Sequence, residues 1–174
     1  MYFTFEIHKN NLDEFIEHWS NRYFDQSENK YLSNIGKPLT ETSRLELFEW
    51  KNGSEISQKK KESIVANYPL VFLGDCADRY LNYKKPGGAI WNIFYLHCLD
   101  HNMWPIFDQH TYRAMKYLQT GAIVEIASTN KQKYESYTNE YKPFLTSLKQ
   151  SDTRKTDKAL FTFGQFLKVA AKYT

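Results

Sequence analysis

The sequence predicts an all-α protein, a single-domain bundle of seven or eight helices over residues 1–174. Apolar residues recur along most of the chain at the three- and four-residue spacing of amphipathic helices. Several of these stretches begin at a residue that caps helices well and end at glycine. Only 7 glycines and 5 prolines occur in 174 residues, which disfavours a turn-dense all-β fold.

Composition is typical of a globular protein. Hydrophobic residues make up 41% of the chain and aromatic residues 17%, which is ample for a core. The net charge of +3 permits an anionic partner without requiring one. Two cysteines, Cys76 and Cys98, are too few for a disulfide framework, so we expect reduced thiols.

No segment has the pattern of a membrane span or of a secretory signal. The apolar runs are much shorter than the ~20 residues that a spanning helix needs. Glu6 interrupts the stretch where the apolar core of a signal peptide would run. We therefore expect a cytoplasmic protein with no membrane partner, and the oligomeric state stays open.

The amino-terminal part predicts an arm, a helix and a connection. Residues 2–8 alternate in part, which indicates a short strand or an irregular arm. Asn10 or Asn11 can cap a helix that runs to about Phe24. Residues 25–37 are polar and predict a connection.

Three more helices are predicted before the middle of the chain. Thr40 or Thr42 can cap the first of them, and a glycine ends it. Ser57 begins a charged helix, whose lysine run at residues 59–61 we interpret as a solvated face rather than a phosphate contact. An apolar stripe predicts a third helix over residues 68–83.

Four helices are predicted in the second half of the chain. Two of them, over residues 88–100 and 108–119, are expected to pack together. A tyrosine-rich helix follows over residues 130–150, and Pro143 is expected to kink or split it. The last helix begins at Asp152, and its candidates for burial are Leu160, Phe161, Phe163, Leu167 and Val169.

A glycine turn precedes the helix predicted from residue 88. Lys84 and Lys85 come directly before the turn, which contains Gly87 and Gly88. Glycine permits a positive φ and a close approach of other chain segments. The first amide groups of a helix are unpaired and attract phosphate. The turn is therefore either a phosphate contact or a tightly packed helix start, and a glycine pair alone favours the second.

Asp108 stands at the predicted start of the next helix. An aspartate at this position most often accepts hydrogen bonds from the next amide groups as an N-cap. A carboxylate held at a cleft can also act as a general base or as an electrostatic stabiliser. The two roles are compatible, so Asp108 is both a structural and a catalytic candidate.

Residues 86–113 resemble part of the helix-hairpin-helix DNA glycosylase superfamily. The match consists of the Pro-Gly-Gly turn, an apolar helix, and an Asp-x-His-x-x-Arg element that is formed here by Asp108, His110 and Arg113. The resemblance implies an all-α fold that binds double-stranded DNA and flips a damaged base out of the duplex. It places Asp108 and His110 at the catalytic position. It assigns DNA binding to Lys84, Lys85, Gly87, Gly88 and Arg113.

The sequence lacks one residue that the chemistry of some members of that family requires. Lyase-active members carry a lysine that would fall near residues 89–91, and none is present there. The Asp108 element is also similar to that of small bacterial proteins with no known activity.

Three histidines raise the question of a metal site. His97 and His101 share a helix face if that helix extends far enough, and His110 follows nine residues later. The glutamate that follows the first histidine of zinc hydrolases is missing. We expect no metal and no cofactor, although the sequence leaves open whether these three side chains bind one.

Two functions follow from these observations. The first is nucleic-acid binding, with base excision as its chemistry and double-stranded DNA as its partner. The second is a non-catalytic interaction protein in which Asp108, His110 and Arg113 form a buried polar network. Positive charge clustered around the glycine turn would favour DNA, and carboxylates there would oppose it.

Overall fold

All the regular secondary structure in the part of the chain that the structure describes is helical. The computed structural model describes residues 11–71 and 76–173, and in these the regular structure is helix without any strand. Ten α-helices and one π-helical segment lie in the described ranges, more than the seven or eight expected. The predicted all-α class is confirmed. The helices are α1 (Leu12–Ser20), α2 (Glu28–Asn34), α3 (Glu41–Asn52), α4 (Gln58–Asn67), α5 (Cys76–Tyr80), α6 (Ala89–Leu99), α7 (Gln109–Thr120), α8 (Asn130–Glu135), the π-helical segment (Ser136–Tyr141), α9 (Lys142–Leu148) and α10 (Thr153–Ala170).

The chain divides into two compact units. Unit 1 takes its described residues from Met1–Tyr23, Phe107–Ser128 and Glu135–Thr174, and unit 2 takes its own from Phe24–Ile106 and Thr129–Tyr134. The helices α6 and α7, which the sequence predicts to pack together, belong to different units. A single domain over residues 1–174 stays a prediction. Among the residues described, no helix has the length and apolar character needed to cross a membrane.

Unit 1 is organised around α10, against which α1 and α7 pack. The buried ring of Phe163 lies 5.1 Å from Phe15 and 5.0 Å from Trp19 of α1. Gly164 faces the first turn of α7. A Cβ atom there would lie 2.6 Å from the carbonyl carbon of His110 and closer still to its oxygen. The missing side chain therefore lets the two helix backbones touch.

Unit 2 is organised around α6. Every residue of this helix from Asn92 to Cys98 is buried, as expected for a helix that is apolar around most of its circumference. Phe94 lies 5.4 Å from Phe48 and 5.9 Å from Trp50, both of α3. This packing fixes α6 as the scaffold on which the glycine turn is mounted.

The predicted helix caps are confirmed. Asn11, Thr40, Ser57 and Asp152 each accept a hydrogen bond from an amide group in the first turn of the helix that follows. At the other ends, Gly53 takes the left-handed conformation that closes α3. The helix α1 ends at Ser20, earlier than expected.

Two predictions of local structure are wrong. Residues 25–37 were expected to be a connection but contain α2, because the Asp25 side chain organises the preceding turn and Tyr31 is buried in the core. Residues 68–83 were expected to be one helix, but in the described part only α5 is helical. Pro69 has no amide hydrogen and disfavours helical geometry at the residue before it, so α4 ends at this point.

Two smaller expectations about α10 are also corrected. Val169 is 54% exposed and Phe161 is half-buried, because the buried stripe of the helix runs through Leu160, Phe163 and Leu167. The strand or arm expected for residues 2–8 lies outside the described residues.

Pro143 acts on the tyrosine-rich helix through the turn that precedes it. Proline cannot donate to the carbonyl four residues earlier and clashes with it. Residues 136–141 widen into a π-helix, in which the Lys142 amide donates to Tyr137 five residues back. The helical path continues into α9, so the proline changes the local winding without ending the helix.

Candidate nucleic-acid interface

The glycine turn packs tightly against the interior of unit 2. Gly87 and Gly88 have φ values of 106° and 84°, in the left-handed region that favours glycine. A Cβ atom on Gly87 would lie 2.9 Å from the Asn92 side-chain oxygen and closer still to the Tyr68 hydroxyl. That hydroxyl donates to Asn92 (2.8 Å), which in turn donates to the Tyr134 hydroxyl (2.8 Å). Packing alone therefore explains why glycine stands at position 87.

The amino end of α6 is capped from another part of the chain. Gly88 occupies the N-cap position and has no side chain to accept hydrogen bonds from the helix. The side chain of Asn130 supplies the missing acceptor, since its oxygen lies 3.1 Å from the Ala89 amide nitrogen. The Ala89 amide, which the sequence analysis considered available to a phosphate, is thus already hydrogen-bonded within the protein.

Lysines from three segments of unit 2 lie near this helix end or next to residues that pack against it. We call Lys60, Lys84, Lys85 and Lys131 the lysine surface. The Lys60 ammonium lies 4.3 Å from the centre of the Trp91 ring, in the first turn of α6. Lys84 is exposed in the loop directly before the glycine turn, and Lys131 is exposed next to the capping residue Asn130.

Lys85 is connected to the glycine turn through two stacked rings. Its ammonium lies 5.2 Å from the centre of the Tyr80 ring, and Tyr80 stacks on Tyr68, whose hydroxyl faces Gly87. Burial lowers the pKa of Lys85, and the nearby charge of Arg79 lowers it further. Burial also lowers the pKa of Lys60. Both amines are therefore held partly out of water at the surface of the protein.

Lys60 and Lys131 are the members of this surface that sequence reasoning missed. The run at residues 59–61 was interpreted as a solvated helix face, and Lys59 is indeed exposed. Lys61 forms an ion pair with Glu49 instead (3.2 Å). Only the packing of α4 and α6 against α3 brings Lys60 to Trp91, and these residues are 31 positions apart.

Asp108 caps α7 in unit 1. One of its carboxylate oxygens accepts hydrogen bonds from the amides of His110 (2.8 Å) and Thr111 (3.0 Å). The Thr111 hydroxyl in turn accepts from the Asp108 amide, which completes a reciprocal capping box. The predicted cap is confirmed, and the catalytic role of Asp108 stays a prediction.

Arg113 is buried and forms hydrogen bonds along its whole guanidinium group. It is 1% exposed, and it donates two hydrogen bonds of 2.9 Å to the Glu125 carboxylate and one to the Gly164 carbonyl. Its Nη1 atom also lies 3.2 Å from Nδ1 of His110. DNA binding by Arg113 stays a prediction, and it requires the side chain to give up these bonds.

The His110 ring lies within this network. Arginine can only donate, so Nδ1 of His110 accepts this bond in the tautomer that carries its proton on Nε2. Burial lowers the pKa of His110, and the charges of Arg113 and Lys168 lower it further, while Asp108 opposes them. The three residues of the Asp-x-His-x-x-Arg element therefore lie close together in α7 and its cap, and Arg113 also bonds to Gly164 of α10.

The same unit holds a tyrosine that the sequence indicated only as core. Tyr141 is fully buried, and its hydroxyl pKa lies well above the ordinary value because of burial and the nearby charges of Asp157 and Asp108. The nearby Thr111 side chain partly opposes this rise. The high pKa keeps the hydroxyl neutral at physiological pH.

The histidines do not assemble into a metal site. Nδ1 of His97 donates a hydrogen bond to the Trp104 carbonyl (2.7 Å), and Nε2 accepts one from the Tyr31 hydroxyl (2.9 Å). Both ring nitrogens of this buried side chain are thus used for structure. Over residues 11–71 and 76–173 there is no group of three metal-ligating side chains placed to hold an ion.

Comparison with known proteins returned no match to a family model, a curated protein or a solved structure.

Proposed function

We propose that this protein binds the phosphate backbone of double-stranded DNA, irrespective of base sequence, through the lysine surface at the amino end of α6. The observation that carries the proposal is the placement of four lysines from three segments around the glycine turn. Two of them, Lys60 and Lys85, are held against aromatic rings and are already partly dehydrated.

Charge density makes duplex DNA a suitable ligand for such a surface. A duplex carries about one negative charge per 1.7 Å of its axis, and lysines that neutralise phosphates release condensed counterions. Such contacts position a protein on the duplex and carry no base information. The proposed binding is therefore weak in sequence preference and strong in salt dependence.

The resemblance to DNA glycosylases adds base excision as a further chemistry, with Asp108 as its carboxylate. Backbone binding does not depend on that chemistry, because the lysine surface lies in unit 2 and Asp108 lies in unit 1. The two activities can therefore be tested separately.

A second candidate function, a non-catalytic interaction protein, is favoured by the network around Arg113. Glu125 and Gly164 bind the guanidinium, and the His110 ring lies beside it. Together with the cap that Asp108 provides for α7, these contacts give all three residues of the element a structural role. A folded protein that binds no DNA and cuts no lesion would favour this second function.

Fluorescence anisotropy with two labelled duplexes of unrelated sequence tests the proposal. Titrations at about 50 and 200 mM salt give the affinity and its salt dependence. The charge variant is Lys84→Gln/Lys85→Gln, and the matched control is Lys37→Gln/Lys51→Gln. Lys37 follows Gly36, which faces His101 beyond the carboxyl end of α6, and the Lys51 ammonium lies 5.9 Å from the centre of the Phe94 ring in the middle of α6. The control therefore removes equal charge away from the amino end of the helix.

The proposal expects the charge variant to weaken binding to both duplexes alike and to reduce the salt slope by about two. The control variant should retain most of the affinity. Two results would refute the proposal: no binding by the parent protein at low salt, or an equal loss in the control. A Gly87 variant would not test phosphate binding alone, because any side chain at this position collides with Tyr68 and Asn92.

A further inference from the structure

Trp91 is held between two other helices of unit 2. Its ring stacks on Phe48 of α3 with a centre-to-centre distance of 5.4 Å and an interplanar angle of 8°. The ammonium of Lys60, from α4, lies 4.3 Å from the ring centre. Trp91 itself is half-buried in the first turn of α6. A ring that stacks on Phe48 thus holds a cation at this helix end.

We infer that Trp91 is a positioning residue for DNA binding: its ring holds Lys60 beside the amino end of α6, where the ammonium contacts a phosphate. This inference rests on the proposed function. Trp91 acts through Lys60 and does not itself provide the contact.

The physical reason is the entropy of a long side chain. A free lysine loses its rotamer freedom when it is fixed on a phosphate, which weakens each contact. Lys60 has lost much of that freedom already, because a cation is attracted to the face of an indole ring. Phe48 keeps the ring itself in place. Lys59 belongs to the same run and is exposed, so it provides the matched control.

The test is a double-mutant cycle on the affinity for one labelled duplex at low salt. The variants are Lys60→Gln, Trp91→Leu and the combination of the two, with Trp91→Phe as the conservative change. Thermal unfolding of each variant is measured in parallel. Lys59→Gln removes the same charge from the same run.

Lys60→Gln should lower the affinity by roughly three- to tenfold, because it removes one phosphate contact. Trp91→Leu should lower it by roughly two- to fivefold, the size of an exposed cation–π interaction. The combined variant should bind no more weakly than Lys60→Gln alone, since both changes remove the same contact. Trp91→Phe should keep most of the affinity, and Lys59→Gln should have the smaller effect of the two lysine changes.

The possible failures are distinguishable. Losses that multiply in the combined variant refute the positioning role while leaving DNA binding intact. The same conclusion follows if Trp91→Phe binds as weakly as Trp91→Leu, or if Lys59→Gln matches Lys60→Gln. A parent protein that binds no duplex refutes the proposed function and this inference with it.

Discussion

Replacing Gly164 by alanine should loosen the contact between α7 and α10. The added Cβ would lie 2.6 Å from the carbonyl carbon of His110 and 2.9 Å from its Cα. Both atoms belong to the backbone, so no side chain can rotate away to relieve the overlap. The helices have to separate, and the bond from Arg113 to the Gly164 carbonyl (2.9 Å) lengthens as they do.

The magnitude follows from three opposing contributions. Overpacking a close helix contact costs about 1–3 kcal/mol. Complete loss of a hydrogen bond from a buried charged group costs about 1.5–3 kcal/mol, and weakening it costs part of that. Alanine is the better helix former and restores about 1 kcal/mol. We therefore expect Gly164→Ala to lower the free energy of unfolding by about 2–4 kcal/mol.

Urea unfolding followed by circular dichroism measures this change. The matched control is Gln165→Ala, because Gln165 is the exposed neighbour on the same helix. The control should leave the stability unchanged or slightly raised, as intrinsic helix propensity predicts. A Gly164→Ala variant as stable as the parent protein would show that α7 and α10 do not meet at this point.

Three further predictions concern the network in unit 1. Asp108→Asn should change the free energy of unfolding by less than about 1 kcal/mol, because asparagine also caps helices well. If the protein excises bases, the same variant should lose turnover on lesion-containing duplexes while keeping its DNA affinity. Arg113→Met should lower the free energy of unfolding by about 2–4 kcal/mol, since the Gly164 carbonyl loses a charged donor and Glu125 loses its partner. Stability should also fall in acid through His110. Its pKa is lower in the folded protein than in the unfolded chain, so the unfolded chain binds the proton more readily below about pH 6.5. His110→Gln should remove that part of the pH dependence, measured as urea midpoints between about pH 5 and pH 8.

Each of these has an outcome that contradicts it. Base excision that survives Asp108→Asn would exclude this carboxylate as the catalytic group. An Arg113→Met variant of unchanged stability would mean that the guanidinium is not bound as described. If His110→Gln keeps the full acid sensitivity of the parent, another group is responsible for it.

The sequence by itself determined the helix class and the first residues of the helices that carry a side-chain cap. Asn11, Thr40, Ser57 and Asp152 act as predicted because a cap and the amide group that it accepts from lie within one turn of each other. The same holds for Asp108, whose bonds reach only to residues 110 and 111. Such interactions are local, so the order of the residues is sufficient to predict them.

Burial and pairing were decided by the tertiary structure. Arg113 looked like a DNA contact in sequence, but the Gly164 carbonyl that it binds is 51 residues away. Lys60 looked like part of a solvated face until α6 placed Trp91 beneath it. The close approach at Gly164 likewise depends on how α7 and α10 meet. A charge takes its role from the groups that surround it, and those groups are brought together only when distant helices pack.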